Sequence, residues 1–202
     1  MANMDKFDLI ANQYDTPGRI HIARLSSDAI REYAAGSDGK SAIDFGCGTG
    51  LVGLNLIDAF GSMLFLDSSP NMIEQVRHKI AELRIPNAET LCFDFEEDVL
   101  YGLRADYIFM AQVLLHIPDI ESVLSRLHNV LNEDGHLLIV DFDKNEKVVS
   151  ELVHNGFDQE QLAAILTKIG YRDIRSRTFY QGTRIFMGQD ATMFVLDARK
   201  VL

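Results

Sequence analysis

The chain has 202 residues, and 47% of them are hydrophobic, which is enough for one domain with a sizeable core. Its formal net charge of −11 counts against a nucleic-acid partner, because basic surfaces supply much of the affinity for phosphate backbones. No apolar run approaches the roughly 20 residues of a membrane span, and residues 1–6 lack the apolar core of a signal peptide. These features predict a protein without a membrane span, and the presence of only two cysteines, Cys47 and Cys92, predicts the reducing cytoplasm.

The first 35 residues are predicted to be mainly helical. Pro17 interrupts the segment that begins at Phe7, and a helical pattern of apolar residues then runs from Ile20 to Tyr33. Residues 34–40 read Ala-Ala-Gly-Ser-Asp-Gly-Lys, which is typical of a loop.

A glycine-rich turn follows the first predicted strand, Ser41 to Phe45. Gly46, Gly48 and Gly50 stand at alternate positions before a predicted helix from Leu51 to Phe60. Glycine lets the backbone approach a ligand closely, and the N–H groups at a helix start point toward that ligand. The turn therefore predicts a ligand site at the carboxyl end of the first strand.

An aspartate closes the next apolar run, Met63 to Leu66. Asp67 lies about 20 residues after the glycines, where an acidic residue accepts hydrogen bonds from ribose hydroxyls in nucleoside-binding folds. Each feature alone has an ordinary explanation, since glycines make tight turns and an aspartate after a strand caps helices. Together, at this spacing, they predict a nucleoside site.

An acidic residue before the glycines indicates which nucleoside is bound. Asp44 precedes Gly46 by two residues, giving Asp-x-Gly-x-Gly-x-Gly. This pattern resembles the first motif of the class I S-adenosylmethionine-dependent methyltransferases. S-adenosylmethionine has an ammonium and a sulfonium group and no pyrophosphate, so a nearby carboxylate attracts it, whereas a carboxylate repels a pyrophosphate.

The resemblance continues from Phe7 to Lys200 and implies further cofactor-binding residues. Leu66 to Met72 looks like the family's second motif, Cys92 to Phe95 like its third, and Asp106 to His116 like its fourth. In the third motif an aspartate commonly binds the adenine amino group. Tyr14 looks like the tyrosine of the recurrent Ala-x-x-Tyr-Asp segment, which lies over the cofactor; ordinary packing of the cover is the alternative. For Asp94 and Phe95, helix capping and core packing are the alternatives. The implied cofactor-binding residues are Tyr14, Asp44, Gly46, Cys47, Gly48, Asp67, Ser68, Met72, Asp94, Phe95, Ala111 and Gln112.

The predicted fourth strand, Tyr107 to Gln112, lies beside the first in a doubly wound sheet, and ligands bind outside that gap. Ala111 and Gln112 are therefore expected to line the cofactor pocket. Family members that methylate base amines carry Asn/Asp-Pro-Pro-Tyr/Phe here, whereas this chain reads Ala-Gln-Val-Leu. That departure, with the acidic charge, counts against base methylation.

His116 follows the fourth strand and is the candidate general base for a hydroxyl or an amine. Ordering of the loop is its alternative role, and His154 and Tyr14 are further candidate bases. Asp141 and Asp143 do not have the spacing of metal-dependent family members, so no metal site is predicted.

The C-terminal half predicts the end of the sheet. The fifth strand is expected from His136 to Phe142, and two β-rich runs, Tyr171 to Tyr180 and Ala191 to Lys200, are joined by a loop with Gly182 and Gly188. They look like the antiparallel pair that completes the methyltransferase sheet. Ser69, Asp119 and Asp158 are predicted to cap the helices that follow them.

Cysteine and arginine positions add two structural expectations. Cys47 and Cys92 are too few for a disulfide framework and are both expected to be small buried residues. Arg172, Arg175 and Arg177 are expected on the solvated face of an edge strand.

The resemblance implies an α/β, Rossmann-like, doubly wound seven-stranded sheet, mostly parallel with an antiparallel C-terminal strand. It implies a single domain, 1–202, with residues 1–35 as an N-terminal helical cover and residues 143–157 as a short lid. The implied activity is in-line transfer of a methyl group from S-adenosylmethionine to a small-molecule acceptor, with S-adenosylhomocysteine as product. Two alternatives stay open: a nicotinamide-dependent oxidoreductase and a non-catalytic S-adenosylmethionine-binding protein. The sequence leaves the acceptor and the oligomeric state open.

Overall fold

The computed structural model describes residues 8–93 and 102–201 of the chain. The chain divides into two compact units, Met1–Tyr101 and Gly102–Leu202, which are described in turn. A mixed sheet of seven strands is present, as predicted, and five α-helices accompany it in the described ranges.

The first unit contains the amino-terminal half of the sheet. Its strands are β1 (Ser41–Phe45), β2 (Ser62–Asp67) and β3 (Ala88–Cys92), in the order β3-β2-β1, and both pairings are parallel. Its helices are α1 (Pro17–Arg31), α2 (Leu51–Leu56) and α3 (Pro70–Leu83). The parallel strands end at one edge, so Phe45 and Asp67 lie at neighbouring strand ends.

Two helix boundaries in this unit differ from the prediction. Pro17 starts α1 rather than interrupting a helix, because its fixed φ suits the first helical position and Thr16 caps the helix by accepting from Arg19 N. Helix α2 ends at Leu56 and is followed by a 3-10 turn at Ile57–Ala59 instead of continuing to Phe60.

Helix α3 begins as predicted. The Ser69 hydroxyl accepts a hydrogen bond from the Met72 N–H at 3.2 Å, and Pro70 occupies the first turn. The helix therefore starts three residues after Asp67, and its N-terminus is next to the carboxyl end of β2.

The second unit contains β4 (Ala105–Ala111), β5 (Leu131–Phe142), β6 (Tyr171–Phe186) and β7 (Gln189–Lys200), in the order β4-β5-β7-β6. Strands β4 and β5 are parallel, whereas β7 is antiparallel to both β5 and β6. The prediction of an antiparallel C-terminal strand is confirmed. Helices α4 (Ile120–Val130) and α5 (Gln159–Ile169) begin at the predicted caps, Asp119 and Asp158.

The predicted loop between the last two strands was wrong. Gly182 lies inside β6, opposite Ala191, and the chain reverses only at Met187 and Gly188, whose φ values are 49° and 77°. A two-residue turn with two positive φ angles matches the twist of a hairpin, so the strands extend to it without a long loop. Strand β5 likewise begins at Leu131, before the predicted start at His136.

Edge positions explain the exposed residues. Strand β3 stands at the end of the first unit's strand order, and Cys92 on this strand is exposed. The prediction that Cys92 is buried was therefore wrong, whereas Cys47 is buried as expected. On β6, at the end of the second unit's order, Arg172, Arg175 and Arg177 are exposed as predicted.

Among the described residues, no helix combines the length and the apolar character that crossing a membrane requires.

Candidate functional site

The glycine turn after β1 has the backbone that its sequence predicts. Gly46, Gly48 and Gly50 have φ values of 67°, 53° and 81°, in the left-handed region that residues with a Cβ rarely adopt. Gly50 N donates to the Cys47 carbonyl at 2.8 Å, which closes the turn before α2 begins at Leu51. The spacing of the glycines is therefore a conformational requirement of this turn.

Asp67, at the end of β2, is hydrogen-bonded to this turn. Its Oδ2 accepts from Gly48 N at 2.8 Å, and its Oδ1 accepts from Ser69 N at 2.9 Å. Burial raises the pKa of Asp67, and the hydrogen bonds from Ser69 and Gly48 oppose the rise. Each carboxylate oxygen retains a further lone pair, so Asp67 can also accept from a pair of neighbouring hydroxyls such as those of a ribose. Ser68, which follows it, is half-buried.

Asp44 lies beneath the turn. It is 2% exposed, and its Oδ2 accepts from Gly53 N in α2 at 3.0 Å. Burial raises its pKa to about 8, so the carboxyl is mostly neutral at pH 7 in the absence of a cation. Burial also raises the pKa of the Cys47 thiol well above its usual value, so this residue is a packing residue in the turn.

Tyr14 lies over the glycine turn. Its ring is 3.8 Å from the position that a Cβ on Gly48 would occupy. The Arg19 guanidinium stacks on the ring at 4.1 Å and donates to the Tyr14 carbonyl at 3.0 Å. Met72, another of the predicted cofactor-binding residues, is 1% exposed and lies in the core of the unit.

The structure thus brings together seven of the predicted residues in the first unit: Tyr14, Asp44, Gly46, Cys47, Gly48, Asp67 and Ser68. Asp94 and Phe95 lie outside the described residues, and their predicted contact with adenine stays a prediction. Ala111, Gln112 and His116 belong to the second unit, and their roles toward a ligand also stay predictions.

In the second unit, Gln112 follows β4 in a strained conformation. Its φ is 57°, although it is not glycine, and its N–H donates to the Val140 carbonyl of β5 at 2.8 Å. Non-glycine residues in the left-handed region persist only where the surroundings enforce them, and such positions concentrate at functional sites. The chain therefore turns abruptly at the carboxyl end of β4.

The next residues form a 3-10 turn, Leu114–His116, which hydrogen bonds with Asp141 and His154 hold. Asp141, on β5, is 0% exposed and accepts from Leu115 N at 3.2 Å, while burial raises its pKa to about 7. His154 N donates to the Leu115 carbonyl at 2.8 Å, and the His154 Nε2 donates to the Ile117 carbonyl at 2.8 Å. One ring nitrogen of His154 is therefore occupied in ordering the chain around His116.

Sequence reasoning missed these holding roles of Asp141 and His154, and it missed Asp15 and Lys79. Asp15 accepts hydrogen bonds from the Thr49 hydroxyl and from Lys79 Nζ, and Lys79 also donates to the Thr49 carbonyl in the glycine turn. Asp15 is the aspartate of the Ala-x-x-Tyr-Asp segment that contains Tyr14, and this was the available signal for it. In residues 8–93 and 102–201, no group of three or more His, Cys, Asp or Glu is arranged to hold a metal ion.

Comparison with known proteins finds methyltransferases among the similar sequences and structures. A family described as a methyltransferase domain matches residues 43–137. Ubiquinone biosynthesis O-methyltransferase of Proteus mirabilis is 27% identical over 157 residues, which cover 74% of this chain. The chain spans 63% of that enzyme's length, less than two thirds.

Solved structures show the same fold. A crystal structure of a SAM-dependent methyltransferase from Aquifex aeolicus has a TM-score of 0.74 at 20% identity and covers 96% of this chain and 98% of its own. Haemonchus contortus phosphoethanolamine N-methyltransferase 2, in complex with phosphomonomethylethanolamine and S-adenosylhomocysteine, has a TM-score of 0.72 at 17% identity. That match covers 89% of this chain and 53% of the other.

Proposed function

Since the chain belongs to the class I S-adenosylmethionine-dependent methyltransferases, we propose that it methylates a small-molecule acceptor by in-line displacement. S-adenosylmethionine is its cofactor and supplies an activated methyl group, leaving S-adenosylhomocysteine.

The observation that carries the proposal is the contact between Asp67 and Gly48. The carboxylate at the end of β2 is held against the amide of the glycine turn at 2.8 Å, with its remaining lone pairs available for two hydroxyls. The turn itself presents backbone without a Cβ, and a Cβ on Gly48 would lie 3.8 Å from the Tyr14 ring. A nucleoside would therefore be held between Asp67, the turn and Tyr14.

The residues of this chain contribute binding, orientation and exclusion of water. Asp67 would orient the ribose, and the ring of Tyr14 would cover the turn. A cation beside Asp44 would favour its ionised form, because the pKa of this carboxyl is raised by burial. Such positioning accounts for much of the rate of a displacement between aligned groups.

His116 is proposed as the general base for the acceptor. It stands on a short turn that Asp141 and His154 hold from two sides, so its backbone is fixed. A base must keep its position relative to the proton that it removes, and a held turn meets that requirement.

A small-molecule acceptor is supported by two observations. The relative from Proteus mirabilis is named for ubiquinone biosynthesis. The net charge of −11 provides no general attraction for nucleic-acid phosphates.

The test is an acceptor panel with S-adenosylmethionine labelled in its methyl group. Purified protein is incubated with phenols, amines and carboxylic acids, and in parallel with duplex DNA, RNA and denatured protein. We expect labelled product with at least one small-molecule class, and loss of that product in His116→Ala. Label appearing only in a macromolecule would overturn the proposed acceptor class.

A further inference from the structure

We propose that Lys79 and Asp15 are positioning residues that set the conformation of the glycine turn and, through this contact with the turn, slow release of the cofactor. Neither residue belongs to the predicted site, and neither is needed to explain the fold of α3. The proposal rests on the proposed function in one respect, namely that the cofactor lies on this turn.

The glycine turn keeps one conformation only if contacts from other parts of the chain restrict it. Thr49 stands between Gly48 and Gly50, whose φ values are 53° and 81°, and glycine has access to many other conformations. Thr49 is 1% exposed, and both its hydroxyl and its carbonyl are hydrogen-bonded to residues distant in sequence. The turn is therefore fixed at its middle residue by side chains from elsewhere.

Lys79, on α3, provides one of these contacts. Its ammonium donates to Asp15 Oδ2 at 2.6 Å and to the Thr49 carbonyl at 2.7 Å. The carbonyl of Thr49 and the N–H of Gly50 belong to one planar peptide group, so fixing the carbonyl also fixes the direction of the amide. Gly50 N points back to the Cys47 carbonyl at 2.8 Å, in agreement with a single held orientation.

Asp15 connects the same contact to the N-terminal segment. One carboxylate oxygen of Asp15 accepts from the Thr49 hydroxyl and the other accepts from Lys79, so Asp15 and Lys79 contact Thr49 from two directions. The Asp15 side chain is 32% exposed and the Lys79 side chain is 25% exposed. This exposure leaves the pair open to screening, so added salt should weaken the hold.

A polar stripe along α3 holds the rest of the segment. Three residues at every fourth position share one face of the helix, and each bonds a residue of the segment. The pairs are Asn71 with Asp8 at 2.8 Å, Gln75 with Asn12 at 2.7 Å, and Lys79 with Asp15 at 2.6 Å. Among the described residues, only the third pair also contacts the glycine turn. Gln75 therefore offers a matched control on the same face.

The experiment measures S-adenosylhomocysteine binding to the full chain by calorimetry and its release by stopped flow. We expect Lys79→Met to weaken binding at least about fivefold, mostly through faster release, because a charge-assisted bond to the turn is lost. Asp15→Asn should act in the same direction, and the double variant should be no weaker than the worse single variant, since both act through one contact. Gln75→Ala should stay within about twofold of the parent protein.

A spectroscopic readout separates positioning from general loosening. The ¹H–¹⁵N signals of Gly48 and Gly50 should shift in ligand-free Lys79→Met and stay unmoved in Gln75→Ala. A folded Lys79→Met variant with parental affinity and unmoved glycine signals would overturn the proposal, and so would an equal loss in Gln75→Ala. A parent protein that fails to bind S-adenosylhomocysteine would instead contradict the cofactor site.

Discussion

Two carboxylates at neighbouring strand ends have different environments and therefore different roles. Asp67 is bonded to two backbone amides, at 2.8 and 2.9 Å, and keeps lone pairs for a ligand. Asp44 is buried and accepts a hydrogen bond from Gly53 N, and burial raises its pKa to about 8. The simple picture in which a charged Asp44 attracts the cofactor is thus incomplete, because burial favours the neutral form of this carboxyl.

Replacing Asp67 should reduce cofactor affinity. We expect Asp67→Ala to weaken S-adenosylhomocysteine binding by more than about 1.4 kcal/mol, because a charged acceptor for two hydroxyls is lost. Isothermal titration calorimetry measures the change. Asp58→Ala is the control, since it removes an exposed carboxylate whose partner is Arg31 and leaves the turn alone. Equal affinities of Asp67→Ala and the control would refute the ribose assignment.

Asp44 should make stability fall as pH rises. Its folded-state pKa of about 8 exceeds the usual aspartate value of about 4, so the folded protein binds this proton more tightly than the unfolded chain. The stabilisation is fully present below about pH 4 and is lost as pH rises through about 8. In Asp44→Asn, which keeps an acceptor for Gly53 N, the free energy of unfolding should vary less over that range. Urea titrations from pH 5 to 8 test this, and parallel profiles would contradict it.

At the scale of elements, α2 packs directly on the first two strands. A Cβ on Gly53 would lie 2.5 Å from Asp44 Oδ2 and 2.5 Å from Phe65 Cε1, so the helix can approach the sheet only with glycine there. The predicted helix was right in kind, but a hydrophobic pattern does not reveal this close approach.

Replacing each of two helix glycines by alanine should change the free energy of unfolding in different directions. Gly53→Ala should lower the free energy of unfolding by more than about 2 kcal/mol, because the added methyl meets packed atoms. Gly18→Ala in α1 has no atom within 4 Å of its new Cβ, so it should leave stability unchanged or raise it by up to about 1 kcal/mol. Urea denaturation of both variants at pH 7 measures the difference, and similar losses would contradict the packing interpretation.

The starts of α3, α4 and α5 were predictable from sequence, whereas the start of α1 and the strand ends were less so. The caps at Ser69, Asp119 and Asp158 depend on a hydrogen bond to a residue three positions away, so the local sequence contains the whole signal. Gly182 is different, because its pairing with Ala191 across the hairpin keeps it in a strand despite its loop-like character.

For the whole molecule, the sequence predicted the fold class and the glycine turn far better than the contacts that hold this turn in place. The ordered glycines and Asp67 identify a family because their spacing is itself a backbone requirement. The holding contacts join residues 64 positions apart, as in Lys79 and Asp15, or 26 apart, as in Asp141 and Leu115. No local pattern encodes such pairs, so they emerge only from the folded chain.

The unequal exposure of the two cysteines makes the native protein suitable for selective labelling. Cys47 is buried and its thiol pKa is raised well above the usual value, whereas Cys92 at the end of β3 is exposed. A maleimide dye should therefore attach rapidly at one position and, within the same time, leave the other intact until denaturant is added. Mass spectrometry of digested peptides would verify the selectivity, and rapid modification of Cys47 would contradict it. The attached fluorophore would then report changes at the third strand without any engineered mutation.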